Sequence, residues 1–595
     1  MELGCVGSEL AAEWMERYPE IAFLISYGEI VPSSQSEDLQ EIAAWRAELD
    51  LEGIDVLYVL GVGNQVYQEL KCWLQEKKER MLIFLEEDLT QISSFAQTEA
   101  SLEVISDPQV HLQLIQNTKA LASQLKTLIH AFPTPRLEVV ATPAFSQERA
   151  SLFKKIRLTM LRECAVGDAV LTEALYSHQL VENVLANFKR WPHSFFANGL
   201  KDKFKNVPAI ICGAGPSLGP SIPLLKTLSD RALIIAGGST IAALSNQGVV
   251  PHIGMALDPN PEEYSRLRVI SAYEMPFVYG NRVQPDVFQT CNGPFGYLHS
   301  FTGGPCEAYF EKALDISAEP VGADLGPEAF SVTAMAIALA VKMGCNPIIL
   351  NGIDLAYTGM KRYAEGVMPS SKVFLQEISQ EKRASEKLLR RKGIAGTMVY
   401  TLVKWVMESS CISKYAKIHS DTQFINVSQE GLGFKGIANK SLSQVIEEHC
   451  SAAYDLRSWV HAEIQQINLS HVTQEKVEEN ISAMQMSLST LLSLCDEMLE
   501  ELEAFKTSDH LLERTLPSGK MTLLQIDFEE EKAFECFFPH VGPALDQMLN
   551  RTHPLPLDRE SLEYRKRLIE RLITKWEHVR KMIIKELSYI NQAEL

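Results

Sequence analysis

The sequence lacks the features of several protein classes. Its 595 residues contain eleven cysteines but no C-x-x-C pair and no Cys/His cluster with zinc spacing. No uninterrupted apolar run reaches the ~18 residues of a membrane-spanning helix. Basic residues are in deficit, since 56 Lys and Arg face 76 Asp and Glu and the formal net charge is −20. We therefore expect no zinc finger, no membrane span and no nucleic-acid partner.

The distribution of cysteine and charge also indicates a compartment. An odd, dispersed set of cysteines is typical of reduced thiols in the cytosol. The N-terminal residues are acidic where a secretory signal would carry Lys or Arg and an apolar run. We therefore expect a cytoplasmic protein. Apolar residues make up 46% and charged residues 22%, which suits a globular chain, and its length predicts three or four domains.

Well-known catalytic signatures are missing as well. The chain has no H-E-x-x-H zinc motif and no G-x-x-x-x-G-K-[ST] phosphate loop. It also lacks the D-x-D motif of metal-dependent sugar transferases, and the nearest string is Asp258-Pro259-Asn260. If the protein is an enzyme, we therefore expect its catalytic residues to lie outside these three motifs.

The region before residue 190 contains one clear supersecondary pattern. An apolar run from Ile54 ends in Gly61-Val62-Gly63, and a helical pattern and a second apolar run ending at Glu86 follow. This order is that of the first βαβ unit of a doubly wound sheet. The spacing from Gly61 to Glu86 suits an acid that binds a ribose, although the third glycine is missing. A nucleotide-binding turn and a tight turn that binds nothing both remain open.

The central region repeats the alternation of strand and helix. Residues 208–212 are typical of a buried strand, residues 213–217 form a glycine-rich turn (hereafter the glycine turn), and Leu218, Ile222 and Leu225 would line one face of the next helix. Further strand patterns cover residues 232–238, 252–258, 275–281 and 346–355. The alternation predicts a mostly parallel sheet.

The C-terminal region has a helical pattern. Apolar residues recur at steps of three and four from Val477 to Phe505 and again from Leu568 to Ile590, with charged residues between them. The stripes predict either a packed helical domain or a surface that docks a protein acceptor or a second copy. The predicted domains are residues 1–190, 191–440 and 441–595.

The glycine turn has a chemical role available. A strand that leads through glycines into a helix N-terminus offers free N–H groups to an anion such as a phosphate. Asp258 and Asp354 each end a strand and would face the same crevice, although either could instead cap a local turn. A nucleotide site and a set of structural turns are both compatible with the pattern. The candidate nucleotide-binding residues are Gly213, Ala214, Gly215, Pro216, Ser217, Gly238, Ser239, Asp258, Asn260, Ser331 and Thr333.

Four segments in a fixed order resemble a known family. They are AIICGAGPSL, IAGGSTIAALSNQGVVPHIGMALDP, FSVTAMAIALAVKMGCNPIILNGIDLAYT and FINVSQEGLGFKG. Together with NVLANF at residues 183–188, they resemble the motility accessory factor family, whose central domain is also described as 6-hydroxymethylpterin diphosphokinase-like.

The resemblance implies an architecture and an activity. It implies an α/β protein with a Rossmann-like N-terminal domain, a sialyltransferase-like doubly wound central domain and an all-α C-terminal domain. Bacterial members of this architecture attach nonulosonic, sialic-acid-like sugars from a CMP-sugar to Ser or Thr of flagellin. Shorter archaeal relatives transfer diphosphate from ATP to a pterin. A partner-binding scaffold of the same fold without catalytic activity is the third alternative.

The resemblance also implies roles for particular residues. Gly213, Gly215, Pro216 and Ser217 match the family's nucleotide loop, and the other matching positions are Asp258, Ser331, Asp354 and Leu355. The implied partners are a nucleotide-sugar and a flagellin-like or other protein acceptor, and the implied ion, if one is needed, is Mg²⁺.

The chain departs from the family pattern at two places. Pro251-His252 stands where the family has Pro-Asp, and Tyr363 stands where it has a histidine. Tyrosine is a poor base at neutral pH, but its hydroxyl can donate a hydrogen bond to a departing phosphate. The predicted catalytic residues are therefore Asp354, Tyr357 and Tyr363.

Overall fold

The structure is a computed structural model of the chain, and it forms two compact units. One contains residues 1–170 with 379–387, and the other contains residues 171–378 with 388–595. The predicted division into three domains remains a prediction. The described residues are 8–27, 38–115, 120–132, 134–175, 177–269, 273–326, 331–367, 372–507, 515–539, 541–553, 555 and 561–593.

The first unit is built on a parallel sheet of four strands. Its elements are α1 (Ser8–Arg17), α2 (Pro19–Tyr27), α3 (Leu39–Glu48), β1 (Val56–Leu60), α4 (Asn64–Gln75), β2 (Met81–Glu86), α5 (Leu89–Ala96), α6 (Ala100–Ser106), β3 (Val110–Leu114), α7 (Leu121–Ala131), β4 (Leu137–Ala141), α8 (Pro143–Glu148) and α9 (Ala150–Leu175). The strand order is β3-β2-β1-β4. β1 is buried along its whole length, as expected of a strand covered on both faces. The predicted βαβ unit is thus confirmed.

A distant segment of the chain completes this first unit. Residues 379–387 belong to it although they follow the first unit by about two hundred residues. The Lys387 ammonium lies 2.6 Å from the Glu138 carboxylate, and Arg157 contacts the same carboxylate at 3.2 Å. Lys382 pairs with Asp50. Since Glu138 is largely buried, these cations balance a charge that water does not reach easily.

The second unit begins with a larger parallel sheet. Its elements as far as the sheet extends are α10 (Ser177–Phe188), β5 (Phe195–Phe196), β6 (Ala209–Cys212), α11 (Ile222–Leu225), β7 (Leu233–Gly237), α12 (Ser239–Asn246), β8 (Ile253–Ala256), α13 (Pro261–Leu267), β9 (Phe277–Tyr279), β10 (Phe295–Tyr297), α14 (Gly304–Ala313), α15 (Val332–Lys342), β11 (Ile348–Asn351), α16 (Leu375–Ser379), β12 (Leu388–Lys392), β13 (Met398–Leu402), α17 (Val403–Ile418), β14 (Phe424–Asn426) and β15 (Ala438–Asn439).

The strand order of this sheet defines where a ligand would bind. The order is β15-β14-β11-β6-β7-β8-β9-β10-β5, and β12 and β13 form a separate antiparallel hairpin. From β6 the chain proceeds to one side through β7 to β10, and it later returns to the other side at β11. The direction of winding therefore changes between β6 and β11. Ligands of open parallel sheets bind at the carboxyl ends of the strands at such a switch point.

Helices complete the second unit. They are α18 (Leu442–His449), α19 (Leu456–Gln466), α20 (Gln474–Lys506), α21 (Gly519–Glu530), α22 (Lys532–Phe537), α23 (Val541–Thr552) and α24 (Leu562–Ala593). The helical C-terminal region predicted from the sequence is confirmed. Within the described ranges, no helix is long and apolar enough to cross a membrane.

The apolar stripes of the C-terminal helices are buried inside this unit. Ile481 and Leu488 of α20 and Ile583 of α24 belong to the same apolar cluster as Ile210 and Ile234 of the sheet. The other face of the sheet packs on α15, whose residues from Ala334 to Ala340 are all buried. The stripes therefore stabilise the second unit directly, as the packed-domain interpretation predicts.

This packing predicts a difference between two positions on α20. Leu491 is fully buried, whereas Met486 is 68% exposed. Leu491→Ala leaves a cavity and should destabilise the second unit by about 2–5 kcal/mol. Met486→Ala should change stability by less than about 0.5 kcal/mol. Thermal unfolding and amide hydrogen exchange of α20 measure both, and equal effects of the two variants would contradict the packing described.

Candidate functional site

The glycine turn follows β6 and leads into short helical segments. A 3-10 helix covers Pro216–Ser221, and the one-turn α11 follows. The sequence pattern predicted a longer helix here, and Pro220 explains the difference because it has no N–H for an α-helical hydrogen bond. Leu218, Ile222 and Leu225 are buried as predicted.

Asp354 is joined directly to this turn. The Ser217 N–H donates to Oδ2 of Asp354 at 3.0 Å, and the Ser217 hydroxyl donates to Oδ1. Asp354 is only 2% exposed. Burial raises the pKa of Asp354, and the hydrogen bonds from Ser217 oppose that rise. The structure thus brings together two of the sequence-predicted features at the switch point of the sheet.

The glycines permit the two turns to approach each other. The Gly215 N–H donates to the Gly352 carbonyl at 2.8 Å. A Cβ on Gly213 would lie 2.6 Å from that same carbonyl oxygen, and a Cβ on Gly215 would lie 2.7 Å from Cγ of Asp354. Neither atom can move aside easily, because one is backbone and the other is held by two hydrogen bonds. Contact between the β6 and β11 turns therefore accounts for both glycines.

The donors of the glycine turn are largely used within the protein. Gly213 donates to the Asn351 carbonyl at 2.8 Å, Gly215 and Ser217 donate as described, and Pro216 has no N–H. Within the part of the chain that the structure describes, the Ala214 N–H is the group of this turn that no acceptor takes up, and it remains for a ligand. A phosphate bound here would need further donors from neighbouring strand ends.

The turn also contains a string of the form G-x-S-x-G, from Gly215 to Gly219. In a nucleophile elbow the serine sits on a strained turn next to a histidine base. Here Ser217 begins a 3-10 helix with Pro216, and its hydroxyl donates to Asp354. The contact with a carboxylate makes Ser217 a positioning group for Asp354 and not an activated nucleophile.

The turn after β7 supplies a second set of donors. Gly238 has φ +47° and precedes α12, whose N-terminus has no side-chain cap. The first N–H groups of α12, starting at Ser239, are therefore oriented to receive an anion.

Glu263 lies against this turn and was missed by the sequence analysis. A Cβ on Gly238 would lie 2.7 Å from Oε1 of Glu263, which is 3% exposed. Burial and the nearby Asp258 raise the pKa of Glu263 to about 7, against the effect of Arg266. The pKa of this carboxyl is therefore near neutrality, and its protonated form can donate to an anion at α12. Only the strand order brings it to Gly238, so no local motif reveals it.

Asp258 and Asn260 form a local turn after β8. The Asn260 N–H donates to Oδ1 of Asp258 at 3.0 Å, and its side-chain amide donates to the same oxygen at 2.7 Å. This geometry matches the local capping alternative. Because the amide nitrogen faces Asp258, the pair does not offer two converging oxygen ligands to Mg²⁺, which prefers oxygen. β8 lies two strands from β6.

Ser331 and Thr333 lie at the start of α15. The Ser331 hydroxyl accepts the Ala334 N–H at 3.1 Å and donates to Glu408. Thr333 is half-buried. A Cβ on Gly237 would lie 2.5 Å from a methyl group of Val332, so the α15 N-terminus packs against the end of β7.

The two predicted catalytic tyrosines differ in their surroundings. Tyr357 is buried, and its ring centroid is 4.8 Å from that of Trp405. Tyr363 is half-buried and precedes Ala364, whose N–H donates to the Ala214 carbonyl at 2.8 Å. The backbone at Tyr363 therefore lies beside the glycine turn.

His252, at one of the family departures, is structural. Its Nδ1 accepts the Ile234 N–H at 2.9 Å, and its Nε2 lies 2.8 Å from the Ser229 carbonyl oxygen. Burial lowers the pKa of His252 to about 4. The imidazole is therefore neutral and fixed between two backbone segments.

A second constellation that the sequence analysis missed follows β10. The Tyr297 hydroxyl donates to Oε1 of Glu307 at 2.9 Å and also contacts Glu311, and His299 contacts Glu311 through Nδ1. Burial and the neighbouring Glu311 raise the pKa of Glu307 to about 8. The spacing of Glu307 and Glu311 on one helical face was the available signal.

The Gly61 turn of the first unit shows a different arrangement. Oε1 of Glu86 accepts the N–H groups of Glu87 and Asp88 at 2.9 and 3.0 Å and lies 3.2 Å from Arg149. Burial raises the pKa of Glu86, against these hydrogen bonds and Arg149. The predicted ribose-binding acid thus has partners within its own unit, which favours the interpretation as a structural turn.

A cavity of about 420 Å³ lies away from these turns. Asn206, Asn346 and Thr422 line it, and they precede β6, β11 and β14. The cavity is therefore at the amino edge of the sheet, opposite the candidate site.

Comparisons with known proteins bear on the central region. Residues 182–360 match the model of a family described as 6-hydroxymethylpterin diphosphokinase MptE-like. The resemblance drawn from the sequence motifs is confirmed over these residues. None of the curated proteins matches the chain. Among solved structures, the chain is similar to the MAf glycosyltransferase from Magnetospirillum magneticum AMB-1, with 15% identity, a TM-score of 0.47 and coverage of 99% of this chain and 96% of that chain.

Two glycines near the switch point should respond differently to substitution by alanine: Gly215→Ala should destabilise the second unit, and Gly219→Ala should not. Gly215→Ala should lower the thermal stability of the second unit by about 1–3 kcal/mol, because the new Cβ meets Asp354 and the Gly352 carbonyl. Gly219→Ala is the control, since a Cβ there would contact nothing within 4 Å. Thermal unfolding compares them, and a stable Gly215→Ala protein would refute the close approach.

The pKa of Glu263 predicts a pH-dependent stability. An acid with a raised folded pKa favours folding when protonated, so wild-type stability should fall as the pH rises from about 4.5 to about 7. A shift of this size corresponds to about 3 kcal/mol. Glu263→Gln should lack this part of the decrease, whereas Glu262→Gln at the exposed neighbouring position should retain it. Denaturant unfolding at several pH values tests the difference, and parallel curves for all three proteins would contradict it.

Proposed function

We propose that this protein is a glycosyltransferase that transfers a nonulosonic, sialic-acid-like sugar from a CMP-sugar to a Ser or Thr hydroxyl of a protein acceptor. The observation that carries the proposal is the contact between the glycine turn and Asp354 at the switch point of the sheet. The motif resemblance described above supplies the donor and acceptor classes.

The donor phosphate would bind between the ends of β6 and β7. Ala214 and the uncapped N-terminus of α12 at Ser239 offer N–H donors there. Glu263, in its protonated form, would donate a further hydrogen bond, whereas its ionised form would repel the phosphate. Binding of the donor is therefore expected to strengthen as the pH falls through the pKa of Glu263, until the donor itself takes up protons.

Asp354 is the group that links binding to chemistry. In the transfer, the bond between the anomeric carbon and the phosphate oxygen breaks, a bond from the acceptor oxygen to the anomeric carbon forms, and the hydroxyl proton passes to the departing nucleotide phosphate. The transition state develops positive charge on the sugar and negative charge on the leaving phosphate. Asp354 would orient the acceptor hydroxyl, and Tyr363 beside the glycine turn would donate to the leaving phosphate. The burial of Tyr357 against Trp405 favours a packing role for that tyrosine.

A basic hairpin lies next to Asp354. The Thr401 hydroxyl of β13 donates to the Leu355 carbonyl at 2.7 Å, and the Tyr357 N–H donates to the Tyr400 carbonyl at 2.9 Å. The paired strand β12 carries consecutive cationic residues from Arg390 to Lys392. In a chain of net charge −20, this local positive charge favours an anionic donor with a phosphate and a carboxylate.

The family match favours a second candidate function. The description of the matched family names a pterin diphosphokinase. In such an enzyme ATP would bind at these turns in place of the CMP-sugar. A scaffold without nucleotide binding is the remaining alternative from the sequence. The three alternatives differ in the nucleotide that binds.

Calorimetric titration with CMP, CDP and ATP distinguishes these functions. We expect saturable CMP binding, and CMP-sugar turnover that falls by at least about 100-fold in Asp354→Asn, because the orienting carboxylate is lost. Asp315→Asn, at an exposed position away from the switch point, is the matched control. Binding of ATP alone would favour the diphosphokinase, and no nucleotide binding would favour the scaffold. Undiminished turnover in Asp354→Asn would remove Asp354 from the mechanism.

A further inference from the structure

Three side chains beyond the switch point converge on one small volume. His299 follows β10, and Glu307 and Glu311 lie one turn apart on α14. Each offers one ligand atom, and the three atoms lie within 4.8 Å of one another. We propose that His299, Glu307 and Glu311 bind a divalent transition-metal ion.

The separations of the three ligand atoms are close to those of metal coordination. Nitrogen and oxygen ligands lie about 2.0–2.2 Å from a zinc ion, so two ligand atoms on one ion are at most about 4.4 Å apart. The three atoms are therefore close to the required separation before an ion pulls them together.

The surroundings of Glu307 point to a missing ligand. Glu307 is 1% exposed, and among the residues that the structure describes no well-formed hydrogen bond reaches its Oε2, although the Asn281 N–H and the Arg282 guanidinium lie near the carboxylate. Oε1 accepts from Tyr297 at 2.9 Å. A buried carboxylate oxygen without a donor is costly, and a cation would satisfy it.

The neighbouring residues hold this carboxylate in place. A Cβ on Gly303 would lie 2.4 Å from Oε1 of Glu307, so the carboxylate packs closely against the loop before α14. The Tyr297 hydroxyl donates to Glu307 and contacts Glu311, and Nδ1 of His299 contacts Glu311. The ligands are thus oriented by a tyrosine from the strand and by the rigid spacing of α14.

The ligand types select the class of ion. One imidazole and two carboxylates suit Zn²⁺ or Mn²⁺, whereas Mg²⁺ and Ca²⁺ prefer oxygen ligands alone. Two carboxylates with one divalent ion form an electrically neutral group, which is suited to a buried position. Two exposed glutamates would not need an ion to neutralise them, because water can solvate their charges.

The position separates this ion from the sugar-transfer site. β10 lies four strands from β6 in the sheet. α14 also contacts the C-terminal helices, since Lys312 lies 3.5 Å from Glu535 of α22. The ion would therefore link the end of β10 to α14, the helix that contacts α22. This structural role does not depend on the proposed activity.

The test is metal binding to the full-length chain. After treatment with a chelator and its removal, calorimetric titration with Zn²⁺ should show one saturable site, and Zn²⁺ should raise the melting temperature. Mg²⁺ should produce neither effect. Glu307→Gln and His299→Ala should each weaken Zn²⁺ binding by about 100-fold or more, since changes even to groups behind the ligands cost about 10–100-fold. Glu274→Gln, at an exposed position before β9, is the matched control.

Two controls keep the outcome decisive. Circular dichroism establishes that each variant is folded, and Co²⁺ in place of Zn²⁺ gives visible absorption bands that report histidine ligation. The bands should be present in wild type and Glu274→Gln and lost or shifted in His299→Ala. If wild type shows no saturable Zn²⁺ binding, or if both ligand variants bind as wild type does, the cluster is a proton-sharing hydrogen-bond network and the proposal is wrong.

Discussion

The contact between Ser217 and Asp354 is the constraint on which the candidate site depends. It joins the turns after β6 and β11, the two strands between which the winding of the sheet reverses. The contact requires backbone approach that only glycine permits at position 215. The Ser217 N–H donates to Asp354, and the Gly213 and Gly215 N–H groups donate to backbone carbonyls of the β11 turn, so most donors of the glycine turn are already used. An anion would therefore find free N–H groups at the adjacent end of β7, where α12 begins. The protonation state of Glu263 then sets the charge of this binding position.

The carboxyl edge of the large sheet collects buried acids with raised pKa values. Burial is the first cause of the shift for Asp354, Glu263 and Glu307 alike. Each is balanced differently: Asp354 by two donors from Ser217, Glu263 by Arg266 at 3.8 Å, and Glu307 by Tyr297. Of the three, Glu263 lies beside the uncapped N-terminus of α12, where an anionic substrate would approach, and its pKa is near neutrality. Perturbed acids are frequent at functional sites for this reason.

The sequence was sufficient for the features that depend on local pattern. Strand and helix alternation predicted the parallel sheets, and the stripes from Val477 onward predicted the C-terminal helices. The pairing of Asp354 with the glycine turn was also predicted, because both follow strands of one sheet. What could not be predicted depends on strand order and side-chain direction. Gly238 and Glu263 meet only because β7 and β8 are neighbours, and the use of the turn's N–H groups depends on how closely two backbones approach.

The return of residues 379–387 to the first unit has a consequence for how the chain can be divided. The polypeptide crosses between the two units three times, at residues 170–171, 378–379 and 387–388. A fragment that stops at residue 170 would keep Glu138 but lose Lys387, one of its two cations. This mostly buried carboxylate would then be left with Arg157 alone. Neither a single protease cut nor a simple truncation can therefore release the N-terminal unit intact. On the ribosome, the first unit is not complete until all strands of the large sheet except β14 and β15 have been synthesised.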